Sequence, residues 1–211
     1  MNIHSLRKEY LAGTLSEDQL QKDPLILFKK WFDEVLASEM NETNAMNLST
    51  IGTDGYPETR IVLLKSIEPK GLSFFTNYNS RKAEAMDKNR NVSLTFFWPQ
   101  FQRQVRIKGT VSKVQEKISD EYFATRPYES NLGAWASNQS EVIISREELE
   151  NSFNYFKEKF KDGEIPRPPH WGGYIVKPIS IEFWQGRENR LHDRFLYEKI
   201  KNNWKIKRLA P

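Results

Sequence analysis

Apolar positions change their spacing several times along the chain, and each change marks an element. Asp23-Pro24 reads as an N-cap followed by a first-turn proline, and Leu25, Phe28, Trp31, Phe32, Val35 and Leu36 then recur at helical spacing. That pattern predicts an amphipathic helix over 24–40. Strand signals dominate from 45 to 114. Runs at 45–51 and 59–66 flank Thr53-Asp54-Gly55-Tyr56-Pro57, a hairpin turn, and Glu68-Pro69-Lys70-Gly71 makes the next turn into 72–76. Segments 91–98 and 103–114 form another pair across Pro99-Gln100-Phe101. In the second of these, Val105, Ile107 and Val111 alternate with Gln104, Arg106, Lys108 and Thr110, predicting one buried and one wet face.

Ser80 opens a short helix expected at 81–89. Further helices are expected at 119–126 and, behind a Ser145-Arg146-Glu147-Glu148 capping box, at 146–161. Pro-rich 165–169 is an extended spacer. Strands are expected at 174–177, 181–185, 190–198 and 204–209. Short strands joined by short turns predict a mainly β fold, an antiparallel barrel with peripheral α-helices. Residues 1–22 read as a flexible N-terminal arm with one capped turn at Ser16–Gln19, and 23–211 as a single domain.

Composition sharpens this picture in three ways. A mean hydropathy of −0.71 is polar for a globular chain, yet 13% of the 211 residues are aromatic, which a disordered chain would lack. The core must therefore rest on large rings. No apolar run is long enough to cross a bilayer, the first residues lack the apolar stretch of a signal peptide, and cysteine is absent. These features suit a reducing cytoplasm and exclude disulfides, thiolate metal sites and a cysteine nucleophile. The net charge of +4 is uneven: 1–44 carry 5 Lys/Arg against 8 Asp/Glu, whereas 181–211 carry 8 against 4. A basic C-terminal part attracts nucleic acid or a phosphorylated small molecule, and charge alone does not choose between them.

Four places carry candidate chemistry. Arg81 and Lys82 follow the N-cap Ser80, where two cations oppose the helix dipole; a bound phosphate resolves that conflict. Tyr122 and Arg126 share one helix face, with Pro127 ending the helix and Ser130 beyond; taken alone, that pair is better explained by a Tyr–Arg surface stack. Arg60 and Lys65 fall on opposite faces of a regular strand, so serving one site would need a bulge or a strand end. Finally, Arg190, His192 and Arg194 alternate with Leu191, Asp193 and Phe195, which on a strand places three cationic groups on one face. The three histidines, His4, His170 and His192, have no metal-ligand spacing, and no Gly-x-Ser-x-Gly elbow, Walker loop or dinucleotide fingerprint occurs. A polar, cationic barrel without its own nucleophile suits a bound cofactor that carries the redox work.

Arg60-Ile61-Val62-Leu63-Leu64-Lys65, Phe75-Thr76-Asn77, Ser80-Arg81-Lys82, Arg103-Gln104-Val105-Arg106, Tyr122-Phe123 with Arg126-Pro127, Gly133-Ala134-Trp135, Trp171-Gly172-Gly173, and 181–186 continuing to Arg190-Leu191-His192-Asp193-Arg194 occur in a telling order. Together with the terminal Arg208-Leu209-Ala210-Pro211, they resemble the pyridoxine (pyridoxamine) 5′-phosphate oxidases from about Leu6 to the last residue. The resemblance implies an FMN-binding split β-barrel, acting as a homodimer with flavin sites at the interface. It implies oxidation of pyridoxine or pyridoxamine 5′-phosphate to pyridoxal 5′-phosphate, with O2 as acceptor and H2O2 released. Carried over by position, it implies flavin contacts from Arg60, Ile61, Val62, Leu63, Leu64, Lys65, Phe75, Thr76, Arg81, Lys82, Gln104, Gln139, Ser140, Trp184 and Arg194. Lys65, Tyr122, Arg126 and Ser130 match residues that hold the substrate phosphate. Arg190 and His192 match those over the substrate ring, as the catalytic pair, and Arg7, Lys8, Glu9 and Tyr10 match a segment that closes over substrate. Phe75 stands where a tyrosine is common, and Asn189 replaces a frequent histidine.

Two other readings remain. A different split-barrel flavoprotein, such as a flavin reductase, would keep Ser80-Arg81-Lys82 but would not need Tyr122, Arg126, Arg190 and His192 together. A nucleic-acid-binding barrel would use aromatic platforms such as Phe96, Phe97 and Trp98, but the cations form compact clusters rather than a track. Neither nucleic acid, membrane nor metal is an expected partner.

Overall fold

A computed structural model describes residues 2–6, 9–38 and 40–211. The expected Arg7 and Lys8 contacts lie outside the described residues. Helix α1, Pro24–Leu36, begins where Asp23 accepts the Leu25 N–H at 2.9 Å, a cap contributing about 1 kcal/mol. It ends four residues earlier than the periodicity suggests, leaving Leu36 exposed while Leu25, Phe28, Trp31 and Val35 are buried. Among the described residues the nine strands are β1 Ala45–Ile51, β2 Pro57–Leu63, β3 Ser66–Glu68, β4 Gly71–Asn77, β5 Asn91–Trp98, β6 Arg103–Lys113, β7 Trp171–Gln185, β8 Asp193–Ile200 and β9 Asn203–Arg208. Between them lie α2 Arg81–Lys88, α3 Glu116–Ala124, α4 Tyr128–Ala136 and α5 Arg146–Lys159.

All strand pairs are antiparallel in one sheet of order β2-β1-β5-β6-β7-β4-β3, with β8 and β9 added beside β7. The sheet curls into a half-barrel around one ring-rich core, closed by α1. Phe28 meets Phe96 at 5.0 Å between ring centroids, and Trp31 meets Phe183 edge-on at 5.2 Å. The alternation in β6 is as expected: Val105, Ile107 and Val111 are buried, and Arg106, Lys108 and Thr110 are exposed.

Four expectations need correction. The run 59–66 is broken, because β2 stops at Leu63 and the chain turns to start β3 at Ser66. The two strands expected at 174–177 and 181–185 are one 15-residue strand, β7; Pro178 is accommodated opposite Gly109, where the β6 register shifts. Helix α4, headed by Pro127, was not expected from the periodicity at all. Strand β8 begins at Asp193 rather than at 190, and Arg190 ends a 3-10 turn with φ of +63°. Arg190, His192 and Arg194 therefore do not share a strand face.

Candidate functional site

The end of β2, strand β4, the start of α2 and helices α3 and α4 enclose a cleft of about 610 Å³. Because β2 ends at Leu63, Lys65 leaves the ladder and reaches this cleft, its N–H bonding Ser73 O at 2.8 Å. The strand end, rather than a bulge, re-aims it. Arg60 stays on β2 outside the lining. Its guanidinium is bound to Thr50 Oγ1 at 2.7 Å and Glu58 at 2.9 Å. Ile61, Val62 and Leu63 line the cleft, and Leu64 turns into the core, 4% exposed.

At one end of the cleft, Ser80 does not cap α2 with its side chain. It is fully buried, donates to Asn77 O at 2.7 Å and accepts Lys82 Nζ at 2.9 Å. Lys82 Nζ also donates to Gln139 Oε1 at 2.8 Å, and Thr76 Oγ1 to the same oxygen at 3.3 Å. Ser140, at φ +80°, accepts the Arg81 N–H at 3.3 Å. Thr76, Arg81, Lys82, Gln139 and Ser140 thus gather at one helix start. Burial, helped by the neighbouring positive charge of Arg60, pushes the Lys82 ammonium down to about 8. An ammonium held there without an anion is costly, and a phosphate would remove that cost.

At the other end, Phe75 stacks on Tyr122 at 4.1 Å and on Trp171 at 5.5 Å. A side chain at Gly173 would strike the Phe75 ring at 2.7 Å, so glycine is required for this stack. The Arg126 guanidinium lies 4.5 Å over Trp171 and donates from Nη2 to Ser130 O at 2.9 Å. Its Nη1 is buried with no partner. Burial lowers the proton affinity of this group, opposed by Tyr122. Lys65, Tyr122, Arg126 and Ser130 all line the cleft. An unpartnered buried guanidinium N–H is the feature that an anion of fixed geometry completes.

The remaining expected residues lie elsewhere. Gln104, Trp184 and Arg194 are in register across β6, β7 and β8, hence side by side on one face. Arg194 donates to Glu182 at 2.8 and 3.0 Å and to Ala210 O at 2.7 Å. Trp184 packs on His192 at 4.6 Å, and Tyr10 touches both rings at 5.8 Å. His192 Nδ1 accepts the Arg187 N–H at 3.1 Å, which places the proton of a neutral imidazole on Nε2. Burial, with Arg190 and Arg194 beside it and against Asp193, lowers its proton affinity and favours that neutral form. Arg190 is exposed and forms no ion pair with a described carboxylate. Sequence reasoning gave no role to Trp171, Glu182 or Asp193. Trp171 was visible only as part of Trp171-Gly172-Gly173, and the two acids only as members of the 181–186 and Arg190–Arg194 blocks.

None of the residues of this second group lines the cleft. Trp171 in the cleft and Trp184 in the second group sit thirteen residues apart on β7, about 43 Å of extended strand at roughly 3.3 Å per residue.

Comparison with known proteins adds an independent finding. Residues 32–159 match the family described as pyridoxamine 5′-phosphate oxidase, and 171–211 match the pyridoxine 5′-phosphate oxidase C-terminal dimerisation region. The pyridoxine/pyridoxamine 5′-phosphate oxidase of Nostoc punctiforme is 54% identical over 210 residues, covering 99% of this chain and 98% of the relative. The protein of that name from Leptospira biflexa is 51% identical, with 100% and 99% covered. Among solved structures, PhzG from Burkholderia lata in complex with tetrahydrophenazine-1-carboxylic acid superposes with a TM-score of 0.88 at 28% identity, over 94% of this chain and 98% of that one. A pyridoxamine 5′-phosphate oxidase-related, FMN-binding protein from Nostoc punctiforme shares the fold, with a TM-score of 0.71 at 14% identity over 91% and 100%.

Proposed function

The chain belongs to the pyridoxamine 5′-phosphate oxidase family, and from that premise we propose how its residues divide the oxidation of pyridoxine or pyridoxamine 5′-phosphate to pyridoxal 5′-phosphate. The observation that carries the proposal is Arg126, whose buried Nη1 has no partner in a cleft it shares with Lys65, Tyr122 and Ser130. These four residues hold the substrate phosphate. FMN is the cofactor, and the chemistry at the start of α2 fits its phosphate: a desolvated Lys82, with Arg81, Thr76, Gln139 and Ser140 around one helix N-terminus. Bound flavin supplies the two-electron acceptor, with O2 as the final oxidant and H2O2 as the reduced product.

The chain's own residues then position and exclude. Phosphate capture by Lys65 and Arg126 fixes one end of the substrate, so that orientation supplies much of the acceleration. Arg190 binds and polarises the substrate ring, and neutral His192 offers Nε2–H as a donor beside it. Tyr10, seated on Trp184 and His192, shuts water out. Since the two groups lie at opposite ends of β7, the ring-binding group of one site comes from a second copy of the chain. The match of 171–211 to a dimerisation region supports the homodimer. None of the helices is long and apolar enough to cross a membrane among the described residues.

The test is an absorbance spectrum of the purified protein followed by H2O2 measurement with each phosphorylated vitamer. A yellow protein that releases H2O2 with pyridoxine or pyridoxamine 5′-phosphate agrees. A yellow protein inert toward both overturns the assignment.

A further inference from the structure

The turn that carries Arg190 and His192 is locally strained: Asn189 and Arg190 both have left-handed φ, +55° and +63°. Neither is glycine, so this backbone is disfavoured and persists only where the surroundings hold it. A single carboxylate does much of that holding. Asp193, 9% exposed at the head of β8, accepts Arg187 Nη1 at 2.7 Å and the Leu15 N–H at 3.1 Å on Oδ2, and Arg208 Nη1 at 3.1 Å on Oδ1. Arg208 also grips Glu17 with two parallel bonds of 2.9 and 3.0 Å. Burial pushes the Asp193 carboxyl up, but the Leu15 N–H and the two guanidiniums outweigh it and hold the group ionised below its ordinary value.

We propose that Asp193 is a positioning residue: through Arg187 it staples the strained turn bearing Arg190 and His192, and through Leu15 and Arg208 it seats the N-terminal arm on that turn. Arg187 and Asp193 stand at the two ends of the turn, so their ion pair closes it as a loop, and the Arg187 N–H simultaneously fixes His192 Nδ1. The arm reaches the same place by its backbone, with the Ala12 N–H on Gln102 Oε1 at 2.9 Å as a second tie. Tyr10 then fits over Gly186, where any side chain would strike its ring at 2.9 Å. One carboxylate thereby couples the shape of the ring-binding group to the closure over it. This inference rests on the roles proposed above for Arg190, His192 and Tyr10.

The test compares flavin-loaded Asp193→Asn and Glu17→Gln with the parent protein. Asparagine keeps an acceptor for Leu15 but loses the charge that both guanidiniums need. For Asp193→Asn, kcat/KM with pyridoxine 5′-phosphate should fall at least tenfold per bound flavin, with flavin content unchanged and amide exchange across 9–17 at least tenfold faster. Glu17→Gln loosens only the outer clasp, so KM should rise about threefold with kcat unchanged, and exchange across 9–17 should quicken. A purely structural Asp193 would lower Tm while leaving kcat/KM per flavin and arm exchange within twofold, which overturns the proposal. If Asp193→Asn fails to fold, Glu17→Gln with KM and arm exchange unchanged overturns it equally. Amide exchange reads the clasp without turnover, so a parent protein inert toward both vitamers would sink the functional reading and leave the clasp separately measured.

Discussion

The two ends of β7 treat their cations in opposite ways. In the cleft, Lys82 and Arg126 are desolvated, and Arg126 Nη1 is left without an acceptor. At the far end, Arg194 is neutralised by Glu182, and Arg187 and Arg208 by Asp193, leaving Arg190 exposed and unpaired with any described carboxylate. On the proposed reading, phosphates supply the negative charge that the first end lacks. The second is a wall whose cations are mostly spent on holding its own shape, so that one arginine and one imidazole face outward from a fixed frame. On the proposed reading these are a phosphate-binding end and a ring-binding end, thirteen residues apart along β7, and each chain supplies half of each site.

Removing the unsatisfied cation of the cleft should have the largest effect. Arg126→Met deletes charge-assisted bonds to phosphate, so kcat/KM for pyridoxine 5′-phosphate should fall about 100- to 1000-fold, mainly through KM, as measured by initial rates. Next, Arg190→Met removes the outward cation of the wall. Turnover should fall roughly 100-fold with flavin content after dialysis unchanged, and an unaltered kcat/KM would remove Arg190 from the chemistry. Lys82→Ala should weaken FMN retention about tenfold, read as flavin content after dialysis.

The same lysine gives a pH signature. Its folded value near 8 lies below its ordinary 10.5, so the unfolded chain binds more protons between them. Stability of the flavin-free protein should therefore rise as pH increases from 8 to 10.5, and Lys82→Ala should flatten that rise in Tm. FMN binding at about pH 9 should take up protons, seen as binding enthalpies that change with the buffer's ionisation enthalpy, and lose that uptake in the variant. The smallest effect concerns the wall. Asp193 is held below its ordinary 3.8, so its stabilisation is present above about pH 4 and disappears as pH falls through the folded value. Arm exchange should quicken only in that acid range.

Most strands were legible because hairpin pairs impose period-two burial and turn residues punctuate them; β1, β5 and β6 are the clear cases. Legibility failed where tertiary context overrode a local signal. Pro178 reads as a break, yet the register shift opposite Gly109 absorbs it and β7 continues. Pro127 reads as the end of a helix and is also the head of α4. Alternation through Arg190, His192 and Arg194 looked like a strand face, but positive φ at Asn189 and Arg190 turns the chain before β8 begins. In the site, Arg81 and Lys82 were visible because cations at a helix start oppose its dipole. Gln139 and Ser140 carry no such signal and came only from resemblance. Glu182 and Asp193 were missed because nothing local distinguishes a buried carboxylate that serves arginines from a solvated one.

That each site needs two chains is tested most directly by mixing. Arg126→Met and Arg190→Met proteins, each nearly inactive alone, are unfolded together, refolded with FMN and assayed for H2O2 with pyridoxine 5′-phosphate. In random dimers, sites built from two chains should recover about one quarter of the parent activity, because half of the dimers hold one intact cleft facing one intact wall. Recovery no greater than the sum of the two variants alone would contradict it, and would place both groups of each site on the same chain.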